Sequence, residues 1–73
     1  MLMIGKQNAQ IGAVRLVDIH GTRFIDIEYC HDDTPTTVRT ARVGPESVYT
    51  NPQPGDQVVI SYLMNVVTTI TRR

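Results

Sequence analysis

Side chains branched at Cβ set the first limit on what this chain can fold into. Val, Ile and Thr supply 25 of the 73 residues, while Ala, Leu, Lys and Glu together supply nine. Stiff side chains that suit a pleated surface therefore far outnumber the straight-chain helix formers. No run of a dozen residues repeats its apolar positions with a helical period. The expected class is all-β.

Turn residues divide the chain into five strands. Two apolar runs, Ile11 to Ile19 and Arg23 to Tyr29, flank His20-Gly21-Thr22. A two-residue turn needs positive φ, which Gly adopts freely and His adopts more readily than most residues. A turn at His20-Gly21 pairs Asp18 with Arg23, Leu16 with Ile25, Val14 with Ile27 and Gly12 with Tyr29 on one apolar face. It places Val17 opposite Phe24, Arg15 opposite Asp26 and Ala13 opposite Glu28 on a mostly polar face. The agreement between turn and alternation selects this register.

Cys30 to Thr36 reads as a polar loop containing Pro35, and Thr37 to Val43 as a third strand. Gly44 to Tyr49, with Pro45 at its first position, reads as one helical turn. Pro54-Gly55 marks a tight turn into the last hairpin, Gln57 to Leu63 and Val66 to Arg72 around Met64-Asn65. That hairpin is apolar on both sides. Val58, Ile60 and Tyr62 point one way; Val59, Leu63, Val66 and Ile70 are expected to point the other. Five strands with a short helical turn between the third and fourth match a small barrel, OB-type or SH3-like.

Size makes that second apolar face significant. Residues 1–73 form one domain, and a chain this short buries only about 60 % of the surface its unfolded state exposes. Cys30 is the single cysteine, so no disulfide can form within the chain. Self-association or efficient barrel closure is left as the stabilising device. Val59, Leu63, Val66 and Ile70 are the candidate interface, with a protein partner expected, a second copy included. The lone cysteine fits a reducing compartment. The apolar opening Met1 to Ile4 ends at Gly5-Lys6, too early for a signal-peptide core, and no run approaches a membrane span. The expected location is cytoplasmic.

The segments Val43 to Val48 and Pro54 to Ile60 resemble the closing part of small OB-type barrels. Among these are the HypC-like hydrogenase maturation chaperones, of similar length and with a similar Pro-Gly-Asp-led strand. The working residue of that family is a cysteine directly after the initiator Met. Leu2 stands there in this chain, so the resemblance implies fold and not function.

Charge and motif content narrow the chemistry further. Seven basic residues balance seven acidic ones, and six of the basic residues are Arg. Neutrality argues against non-specific nucleic-acid binding, which draws on phosphate neutralisation. Fixed bidentate contacts suit the arginines better. A weak single-strand-binding surface would have to gather Arg15, Phe24, Arg39, Arg42 and Arg72 on one face.

The five glycines are widely separated, so no phosphate-cradling loop exists. Cys30-His31-Asp32-Asp33 is the only cluster of metal-capable side chains, too few and too close in sequence for a structural zinc site. A Cys30/His31 nucleophile pair would point to opposite faces of a strand and has no orienting third residue. The carboxylate pairs Asp26/Glu28 and Asp32/Asp33 read as solvated charges, not as an acid–base pair. The chain is expected to act by binding, with no catalytic residue, metal or cofactor; a small metal or redox site at Cys30/His31 stands as the third reading, after the single-strand-binding one.

Overall fold

The computed structural model describes residues 4–73; Met1, Leu2 and Met3 of the apolar opening lie outside them. Five strands are present: β1 (Ile4–Ile19), β2 (Thr22–His31), β3 (Arg39–Val43), β4 (Gln57–Leu63) and β5 (Val66–Arg72). One 3-10 turn, Pro45–Ser47, separates β3 from β4, with Pro at its start. The strands form a single sheet in the order β3-β2-β1-β4-β5, antiparallel at every step. β3 and β5 therefore both run parallel to β1 and to each other.

Both hairpins turn on two residues of positive φ. His20 and Gly21 stand at 52° and 81°, and Met64 and Asn65 at 52° and 67°. This twist matches that of the flanking strands. Asp18 secures the first turn by accepting the Gly21 amide at 2.9 Å.

The first hairpin follows the expected register from Ala13–Glu28 to Ile19–Thr22 and departs from it at Gly12. A bulge there sets Ile11, not Gly12, opposite Tyr29. The extra residue keeps Ile11 inward and 1 % exposed, and it bends the strand. The strand also begins earlier than the sequence pattern predicts. Ile4 to Gln10 pair with β4, a polar stretch (Lys6, Gln7, Asn8) whose alternation is weak. Beyond the bulge, Ala13 to Ile19 pair with β2 alone, and Leu16 is left 80 % exposed.

A second bulge corrects the reading of the last hairpin. Leu63 faces Val66 and Tyr62 faces Val67, but Ser61 faces Thr69. Thr68 is the inserted residue, and its hydroxyl donates to the Ser61 carbonyl at 3.2 Å. Every later residue of β5 changes face. Ile70 thus sits opposite Ile60 and is buried at 1 % exposure, not turned outward with Val59.

The core lies on the inner face of the curved sheet. Ala9 and Ile11 of β1, Ile25, Ile27 and Tyr29 of β2, Ala41 and Val43 of β3, Val58 and Ile60 of β4 and Ile70 of β5 form one buried cluster. The expected barrel is not closed. β3 and β5 approach one another without a hydrogen-bonded ladder. β3 starts at Arg39 instead of Thr37, and the 3-10 turn carries the chain across so that Val48, not β3, bridges to Ile70.

Candidate binding cleft

Two residues apart on β2, Tyr29 and His31 share the inner face, and Tyr62 continues the inner row of β4 past Ile60. The three side chains meet. The Tyr29 and Tyr62 hydroxyls are 2.7 Å apart, and the Tyr62 hydroxyl is 2.7 Å from His31 Nε2. The His31 ring stands edge-on to Tyr62 at 5.8 Å between centroids. Tyr29 and His31 are buried and Tyr62 is half-buried. Burial, together with the Tyr62 hydrogen bond, holds the Tyr29 phenol protonated well above its usual range.

Burial also pushes the His31 pKa below its usual 6.5, helped by the positive charge of Arg39 and opposed by Asp33. A histidine whose folded pKa is depressed takes up its proton first in the unfolded chain. Its contribution to stability is complete above pH 6.5 and is lost as pH falls from there through the lower folded value. Urea midpoints should accordingly drop between pH 7 and 5 in the wild type, and His31→Gln should flatten that slope. A His31→Gln profile parallel to wild type would show that His31 is not the group responsible.

These rings floor a cleft of about 600 Å³ lying between the two unclosed edges. One rim is Arg39 to Arg42 of β3. The other is Asn65 with Val66 and Val67 at the start of β5, and Gln7 completes the floor. No carboxylate among the described residues lines it. Arg39 is opposite Tyr29 in the β2–β3 ladder, so its side chain shares the inner face. Of the six arginines, Arg15, Arg42, Arg72 and Arg73 have carboxylate partners. Arg39 has none among the described residues.

The arginines proposed as one nucleic-acid surface are dispersed. Arg15 and Arg42 flank Asp26 on the outer face. Arg42 binds it through two hydrogen bonds of 2.7 and 2.9 Å, and Arg15 lies 3.6 Å away. These cations hold the Asp26 carboxyl below its ordinary range. Half-buried Phe24 lies on the same face opposite Val17. Arg39 is on the inner face. Arg72 lies over the Tyr49 ring at 4.9 Å, beside Asp56 at 3.9 Å. The Tyr49 phenol, half-buried and bonded to Asp56, is pushed up to about 12.

The interface candidates also separate. Leu63 and Val66 stand exposed at the tip of the β4–β5 hairpin with Met64, next to the cleft mouth; Val59 is half-buried on the outer face; Ile70 is in the core. Cys30 is half-buried, and strand alternation sends it to the face opposite His31. Among the described residues no three or more His, Cys, Asp or Glu side chains gather in a metal-binding group. No helix among them is long and apolar enough to cross a membrane.

The sequence pattern puts Tyr29 on the apolar face and offers His31 as a metal-capable or nucleophile-pair partner of Cys30, not as a partner of the tyrosines. The i, i+2 spacing of Tyr29 and His31 was a usable sign that they share a face. Their meeting with Tyr62 had no local sign, because β1 lies between β2 and β4. In comparison with known proteins, the chain matches no family model, no curated protein and no solved structure, so the likeness of its closing third to the hydrogenase maturation chaperones extends to no family match.

Proposed function

We propose that this chain is a non-catalytic, OB-type protein-binding module that receives an extended segment of a partner protein between β3 and β5. The observation that carries this reading is the pair of parallel strand edges facing each other over the cleft, not paired with one another along Arg39 to Arg42 of β3 and along the start of β5, short of the Val48 bridge at Ile70. A segment laid antiparallel to both would satisfy free backbone groups on its two sides, which is the physics of strand addition. The rims span about four residues of extended chain at roughly 3.3 Å each. The strand order, with a long β1 shared between β2 and β4, supports the OB-type over the SH3-like reading. Exposed Leu63, Met64 and Val66 beside the mouth add apolar contact for the incoming chain, and another copy of the protein is one such partner.

Selection of random heptapeptides against the isotope-labelled full chain, followed by amide-shift mapping of the binders, tests this. Binders should perturb the amides of Arg39 to Val43 and Val66 to Thr69 together. Solution mass across a concentration series tells whether a second copy serves as the partner: a dimer should protect these same amides. Binders that map only to the outer face of β1 and β2, or a selection that returns none from a chain that stays monomeric, would overturn the reading.

A further inference from the structure

We infer that the floor of the cleft is a carboxylate-binding site, with Arg39 supplying the charge and the Tyr29 hydroxyl a directed hydrogen bond. This rests on the cleft being where a ligand enters. The first support is electrostatic. Arg39 is the one arginine of the cleft without a carboxylate partner among the described residues; Arg42, on the same rim, is committed to Asp26. No acidic side chain among the described residues lines the cleft. A guanidinium in this setting offers a planar fork of donors that matches a carboxylate.

The second support is the proton network beneath it. Burial disfavours the charged form of the His31 ring, and the neutral ring allows two arrangements of its hydrogen bonds to the tyrosines. In one, Tyr29 donates to Tyr62 and Tyr62 donates to Nε2. In the other, Nε2–H donates to Tyr62, Tyr62 donates to Tyr29, and the Tyr29 hydroxyl proton is free to point outward. The two differ by movement of the imidazole proton from Nδ1 to Nε2 through exchange with solvent, so no net proton is taken up. A carboxylate beside Arg39 selects the second arrangement. The groups facing His31 are Tyr29 on its own strand, Tyr62 of β4, Arg39 of β3 and Asp33 of the following loop. Only Asp33 opposes the anion.

The carboxylate could belong to the entering peptide or to a free small acid. Three probes separate these sources in titrations of the labelled full chain: sodium acetate, acetyl-Val-Thr-Val-Glu-amide and its Gln counterpart. The Glu peptide should bind about tenfold more tightly than the Gln peptide, a difference near 1.4 kcal/mol. Arg39→Gln should abolish that preference, and the imidazole nitrogen shifts should report a proton arriving at Nε2. Equal binding of the two peptides, with no acetate response at Arg39, overturns the carboxylate site. In that case the strand-addition reading survives if both peptides still move the β3 and β5 amides. Acetate binding that depends on Arg39, with neither peptide moving those amides, supports the carboxylate site for a free acid and removes the strand-addition reading. Silence from all three probes overturns both.

Discussion

Truncating Ile70 to Ala should cost about 2–5 kcal/mol of folding free energy, the usual range for deleting a buried Ile side chain. Truncating Val66 in the same strand should stay within about 0.5 kcal/mol. The contrast follows from position. Ile70 is 1 % exposed and opposite Ile60, whereas Val66 is 64 % exposed at the hairpin tip. A domain of this length has a total stability on the order of 4–11 kcal/mol. Ile70→Ala therefore removes a large fraction of it and should be visible as a lowered urea midpoint with the slope unchanged. Were Thr68 not bulged, Ile70 would lie opposite Val59 on the outer face, and its loss would be as mild as that of Val66. Similar midpoints for the two variants would remove the bulge from the description of β5.

Tyr62→Phe should destabilise the protein by about 1–3 kcal/mol, since removing one hydroxyl orphans partners on both sides. The Tyr29 hydroxyl and His31 Nε2 each lie 2.7 Å from that oxygen. Because the three groups act as one network, the losses should not add. Tyr29→Phe combined with Tyr62→Phe should cost less than the sum of the single changes by at least about 0.5 kcal/mol. Strict additivity in that double-mutant cycle would mean that the hydroxyls do not share a bond. It would also take away the network on which the carboxylate site depends.

The parts of this protein that were legible in its sequence are the local ones. A two-residue turn at His20-Gly21 and another at Met64-Asn65 demand positive φ, and both have it. From the first turn, strict alternation carries the pairing back to Ala13 and Glu28 without error. Pro45 starts the 3-10 turn as its fixed φ and missing donor allow. Each inference uses only residues close together along the chain, where backbone sterics and the two-residue period of a strand decide the outcome.

What only the tertiary structure decided begins at the bulges. A single inserted residue reverses the facing of everything beyond it, because the strand period is two. Thr68 differs in no visible way from the threonines around it, so nothing in the run Val66 to Arg72 signals that Ile70 turns inward. The same limit hid the pairing of Ile4 to Gln10 with β4, since Lys6, Gln7 and Asn8 lack apolar alternation. It hid the open seam between β3 and β5, which depends on where Val48 lands after the 3-10 turn. The candidate site inherits this dependence. Tyr29, His31, Arg39 and Tyr62 come from three strands, and two non-adjacent strands had to curve over one face before Tyr62 could reach its partners. Residue chemistry made a binding module the natural expectation; the curvature and incomplete closure of the sheet determined which side chains stand together at the opening.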